Sequence, residues 1–142
     1  MQHPKEIGDR TTLRVMVALQ ELGYEIYVPW GENTRTDLVV IRGGKVSRLQ
    51  CKTGRLRQGA VVFRPCSTYG HHPNPKISRR SYQGEIDEFA IYCPELGRVY
   101  LVPIEDVDAT AQASLRLTLP RNNQTKRIRL AGAYEIARID VY

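Results

Sequence analysis

The chain has 142 residues, 42% of them hydrophobic and 25% charged, which suits a single domain over 1–142 with one compact core. No apolar run approaches the roughly 18 residues that a membrane helix needs. The opening MQHPKEIGDR has charges where an export signal would be apolar, so no membrane association is expected and the cytoplasm is the expected location. A net charge of +6 leaves an acidic partner open.

Thr11 to Leu22 places Val15, Met16, Leu19 and Leu22 at three-and-four spacing, which predicts an amphipathic helix stopped by Gly23. Tyr24 to Val28 alternates up to Pro29 and reads as a short strand. Thr36 to Ile41 and Lys45 to Thr53 are strand-like, and Gly43-Gly44 between them favours a two-residue hairpin turn. Ala60 to Arg64 reads as a strand. Pro65 to Gly84, with three prolines and His71-His72, reads as a loop of unusual length and therefore as a functional element. Glu88 to Tyr92 and Arg98 to Val102 predict an antiparallel pair, followed by an acidic turn over Glu105 to Asp108. Ser114 to Leu119 and Lys126 to Leu130 predict a last pair around Asn122-Asn123, with Ala131 to Ile136 as a closing helix.

Charge is segregated along the chain. Leu38 to Gly84 contains no Asp or Glu but ten cations, including Arg42, Lys45, Arg48 and Lys52, and Ala109 to Tyr134 is a second acid-free stretch with five. Between them, Glu85 to Asp108 holds seven carboxylates against Arg98 alone. That distribution predicts a basic binding face for nucleic acid, with a solvated basic surface as the alternative. Cys51, Cys66 and Cys93 lack the spacing of a zinc site and read as reduced thiols, while His71 and His72 could bind metal or phosphate or neither.

With Gly43 and Gly44 as the turn residues, Arg42 faces Lys45, and counting outward sets Asp37 opposite Gln50 and Arg35 opposite Lys52. Opposed residues project to one face with Cβ atoms about 4.5–5.5 Å apart, and Gln50 and Lys52 share that face. Leu38, Val40, Leu49 and Cys51 then form the core side. A carboxylate and an amide oxygen so placed can both reach a hard cation such as magnesium. A lysine beside them can hold or help deprotonate a water and stabilise charge on a phosphate. Asp108 with Gln124-Thr125-Lys126 has the same loose letters but no hairpin to join them.

Asp37 followed by Gln50-Cys51-Lys52 on a hairpin resembles the PD-(D/E)xK nucleases. Over nearly the whole chain, KEIGD, the helix, ELGYEIYVPWGENTRTDLVVIRGGKVSRLQCKTGR, AIYCPELGRVYLVPIEDV and LPRNNQTKRIRLAGAYEI are similar to small endonucleases of that kind encoded in group I introns, which also carry a QxK form. Thr36 stands where the motif has proline, Gln50 where it has an acid, and Asp9 where it has a longer glutamate. The resemblance implies an α/β (α+β) restriction-endonuclease-like core, a central mixed β-sheet flanked by helices. It implies Mg2+, with Mn2+ possible, on Asp37, Gln50, the Cys51 backbone carbonyl and Asp9, with Glu6 as the fallback for Asp9.

The implied activity is homing-type cleavage of double-stranded DNA at a long site, leaving 5′-phosphates, by a homodimer or homotetramer that sets one site near each strand. Arg35, Arg55, Arg57, Arg64, Lys76, Arg79 and Arg80 are the expected DNA contacts, with Tyr69 and His71 as weaker candidates. Two alternatives stay open: a Holliday-junction or repair-type structure-specific nuclease, and a DNA-binding module that has lost catalysis, for which Gln50 would be the cause.

Overall fold

The structure, a computed structural model, describes residues 3–31, 34–70, 77–107, 111–119 and 129–138. It begins with helix α1, Pro4–Glu21. This helix starts seven residues before the apolar periodicity does. Pro4 supplies a helical φ at the first position, and the His3 side chain caps the end by accepting from the Lys5 amide at 3.2 Å. Gly23, at φ +88°, ends it in the left-handed region.

Strands β1 (Glu25–Tyr27), β2 (Leu38–Arg42) and β3 (Lys45–Thr53) follow, and β2 and β3 form the hairpin read from the sequence. Gly43 and Gly44 both have positive φ, as the primed two-residue turn requires, and the register runs Arg42↔Lys45 to Leu38↔Leu49. A second tight hairpin, unrecognised in the sequence, joins β4 (Arg55–Arg57) to β5 (Ala60–Phe63) through Gln58 and Gly59, again both at positive φ.

The stretch expected to be a long loop is a two-stranded ribbon, β6 (Cys66–Gly70) against β7 (Ile77–Ser81), in the register Cys66↔Ser81 to Gly70↔Ile77. In the sequence Pro73 and Pro75 fall between the two strands and not within them, so proline content counted over the whole segment concealed the strands on either side. His71, His72 and Lys76 lie outside the described residues, as do the side chains of Tyr69, Arg79 and Arg80.

Strands β8 (Glu88–Cys93) and β9 (Arg98–Pro103) pair antiparallel as expected. Of the predicted pairing of Ser114 to Leu119 with Lys126 to Leu130, residues 126–128 lie outside the described residues. Strand β10 (Ala113–Arg116) pairs antiparallel with β5, and Arg116 meets Leu130 in a single parallel bridge. The expected closing helix is a short 3-10 turn, Ala131–Ala133, followed by β11 (Glu135–Arg138) on the edge of β9. Gly132 and the lack of an amphipathic repeat leave no helix to propagate there. Asp108 and Gln124-Thr125-Lys126 lie outside the described residues.

The main sheet has the order β1-β2-β3-β8-β9-β11, mixed because β3 and β8 run parallel. Helix α1 covers one face, where Val15, Ala18 and Leu19 pack on Leu38, Val40, Leu49, Cys51 and Leu101. The other face is covered by the small sheet β10-β5-β4: Val61, Phe63 and Leu115 pack on Phe89, Ile91, Tyr100 and Val102. The expected flanking helices are thus one helix among the described residues, with β4 and β5, from the crossover between β3 and β8, and β10 taking the second face. No described helix is long and apolar enough to cross a membrane.

Gly54 marks the exit from β3. A Cβ there would lie 2.7 Å from Val61 Cγ1 and 2.8 Å from Ile91 Cγ2, so only glycine lets the chain pass between the two sheets.

Candidate active site

The period of two along β3 sends Leu49 and Cys51 into the α1 core, so Gln50 and Lys52 project to the opposite face, both half-buried. The register that would set Asp37 against Gln50 holds as far as Leu38↔Leu49 and then breaks. The Asp37 amide donates to Leu49 O at 2.8 Å, and the Asp37 carboxylate accepts from the Cys51 amide at 2.9 Å. A side-chain oxygen thus takes the acceptor role just before β2 begins, fixing the carboxylate beside Gln50-Cys51-Lys52.

Burial raises the Asp37 pKa above the ordinary carboxylate value, against the Cys51 amide and the Lys52 charge, which lower it. Burial lowers the Lys52 pKa below the usual lysine value. Arg35 and Arg64 reinforce that, and Asp37 opposes it. Burial pushes the Cys51 thiol up to about 12. Cys51 therefore stays a thiol, and its backbone carbonyl is the atom it can offer a hard cation. All three cysteines are free, as their spacing led us to expect, and all three are buried.

The Lys52 ammonium donates to Cys66 O and to Tyr82 Oη, each at 3.3 Å. Arg35 does not face Lys52 across a ladder. Its guanidinium lies 3.8 Å from the Tyr82 ring centroid and donates to Glu85 Oε2 at 2.9 Å, to Ser81 O at 2.7 Å and to Ser67 Oγ. Thr36, in the place of the motif's proline, donates its hydroxyl to Glu85 O at 3.2 Å, a tether for the turn leading into Asp37.

Asp9 and Glu6 are both exposed on α1. The helix reaches the site end of β3 through the Thr11–Thr53 hydroxyl pair at 2.6 Å. Among the described residues no three His, Cys, Asp or Glu side chains gather as a metal cluster. The donor set at the hairpin is instead one carboxylate, one amide oxygen and one backbone carbonyl, all hard oxygens that fit a magnesium-like ion with few protein ligands.

The acidic middle segment folds back onto arginines that precede it in the chain, both before and within the basic block. Glu85 meets Arg35, Asp87 meets Arg48 at 3.1 Å, and Glu95 lies 3.6 Å from Arg55 and 3.8 Å from Arg57. Part of the segregated charge is thereby neutralised within the fold, which the linear sequence conceals. Arg64 is exposed, and its charge bears on Lys52. Two cations missed in the sequence, Arg10 and Arg14 on α1, join Arg55 and Tyr92 around a cleft of about 260 Å³. Their four-residue spacing within the helix was the available signal.

At the mouth of the hairpin, an aspartate just before β2 thus meets a QxK segment on β3. The family model of the PD-(D/E)XK endonucleases matches residues 2–137, and the chain belongs to that family. Its fold is similar to a solved structure described as that of a bacterial homing endonuclease, I-Ssp6803I, at 22% sequence identity and a TM-score of 0.76, covering 94% of this chain and 89% of that one. No curated protein matches the chain.

Proposed function

We propose that the protein is a sequence-specific endonuclease of the homing type, hydrolysing phosphodiester bonds of duplex DNA with a divalent metal. The observation that carries this reading is the Asp37 carboxylate held by the Cys51 amide beside Gln50 and Lys52, within a family of endonucleases.

Asp37, Gln50 and the Cys51 carbonyl would hold the ion, with Asp9 or Glu6 completing its shell from α1. Bound there, Mg2+ or Mn2+ would offset charge on the phosphate and acidify a water. Lys52, half-buried and with its pKa lowered, would orient the attacking water and hold or take up a proton at Nζ. Arg64, with Arg55 and Arg57 when DNA competes with Glu95 for them, would neutralise backbone phosphates, and Lys76, Arg79 and Arg80 are the further cations proposed for that contact. A homodimer or homotetramer would bring one site to each strand, and the exposed Leu13 and Val17 on α1 and Trp30 after β1 are apolar surface that a second copy could cover.

The test is cleavage of a mixed DNA library with and without magnesium by wild type, Asp37→Ala and Lys52→Ala. Discrete cuts that need metal and vanish in both variants support the reading. Binding without cleavage under any divalent metal would leave the DNA-binding module, the reading that Gln50 in place of an acid favours. Preferential cutting of four-way junctions would point to the repair-type nuclease.

A further inference from the structure

We propose that Tyr82 is the positioning residue for Lys52, held in turn by Arg35 stacked on its ring. The proposal rests on the reading that Lys52 acts in cleavage.

Tyr82 is 4% exposed and packs edge-on against Phe89, with ring centroids 5.8 Å apart and planes at 88°, so the core fixes its orientation. Two cations converge on this one ring. Arg35 lies 3.8 Å from its centroid, and the Lys52 Nζ lies 4.9 Å from it while donating to its hydroxyl. Like charges so close would repel, but the negative face of the ring attracts both, and the Glu85 carboxylate accepts from Arg35.

Among the described residues, both hydrogen bonds of the Lys52 ammonium go to the two ends of the β6–β7 ribbon: Cys66, where β6 begins, and Tyr82, one residue after β7 ends. Cys66 and Ser81 pair at the ribbon's base, and Ser67 and Ser81 bind Arg35. The flexible lysine stem therefore ends in a cradle set by the ribbon rather than by β3 itself. Pre-setting a long side chain in this way removes freedom that would otherwise be lost when the site assembles on DNA.

The experiment compares wild type, Tyr82→Phe, Lys52→Ala and the double variant in single-turnover cleavage, alongside metal-free DNA binding and thermal melting. Tyr82→Phe keeps the ring and its packing and removes only the hydroxyl. It is expected to slow cleavage about tenfold with binding and melting unchanged, and to cost nothing further in the Lys52→Ala background. In metal-free protein, acylation of the Lys52 amine, read by mass spectrometry of its peptide, should be faster in Tyr82→Phe than in wild type. That measurement decides the matter where Lys52→Ala leaves no rate to compare. An unchanged Tyr82→Phe rate beside an inactive Lys52→Ala, or unchanged acylation, would overturn the positioning role alone. Wild-type cleavage by Lys52→Ala would overturn the reading of Lys52 itself. Should Tyr82→Phe fail to fold, Ser67→Ala, which removes the hydroxyl that accepts from Arg35, carries the same test with a smaller slowing expected.

Discussion

The backbone amide of Cys51 donates to the carboxylate of Asp37 at 2.9 Å, a side-chain oxygen standing where a strand would offer a carbonyl. This contact orients the carboxylate but does not offset its burial, which raises its pKa above the ordinary value. A carboxyl whose folded pKa exceeds its unfolded one favours folding when protonated. That contribution is present below the unfolded pKa and lost as pH rises through the folded one. At neutral pH the ionised Asp37 therefore destabilises the metal-free protein. Asp37→Asn, which keeps an oxygen for the Cys51 amide, is expected to raise the metal-free melting temperature by a few degrees, on the order of 1 kcal/mol. The gap should close as acid protonates the wild-type carboxyl. Melting curves across that range check this, and a less stable Asn variant at neutral pH would contradict it.

Cleavage should depend on the same hairpin. Asp37→Ala and Lys52→Ala are expected to slow single-turnover cleavage by about a hundredfold or more while leaving metal-free DNA affinity within a few-fold of wild type. Gel-shift and cleavage assays on the same preparations separate the two quantities.

Gln50 contributes an uncharged oxygen where the family motif has a carboxylate. Gln50→Glu is expected to lower the divalent metal concentration needed for half-maximal cleavage by about an order of magnitude, because affinity follows the charge of the ligand set. A metal titration of activity, or calorimetry with Mn2+, reads this directly. No change would remove Gln50 from the metal shell.

DNA affinity should fall with salt, at a log-log slope of about −0.9 for each phosphate neutralised, and Arg64→Ala should flatten that slope by about one contact. Glu95 lies within 4 Å of both Arg55 and Arg57. Glu95→Gln is therefore expected to tighten non-specific binding and steepen the slope, measured by fluorescence anisotropy over a salt series.

Gly54→Ala tests the passage between the sheets. The Val61 and Ile91 atoms that a methyl would strike belong to β-branched side chains with little freedom to move. The variant is expected to lose about 1–3 kcal/mol of stability, read by denaturant unfolding.

The sequence by itself determined the helix, the β2–β3 hairpin and its register, and the pairing of β8 with β9, because each is set by local period and by turn residues with positive φ. It also placed Gln50 and Lys52 together, since alternation along one strand needs no tertiary information. Only the tertiary structure decided the rest. The parallel pairing of β3 with β8 and the small sheet over the second face join residues far apart in the chain. The cradle of Tyr82, Cys66 and Arg35 around Lys52 draws on three separate segments. The neutralisation of Arg35, Arg48 and Arg55 by Glu85, Asp87 and Glu95 likewise arises from chain crossing chain. Local sequence carries backbone preference and face, whereas the partners of a buried charge are set by which segments the core brings together.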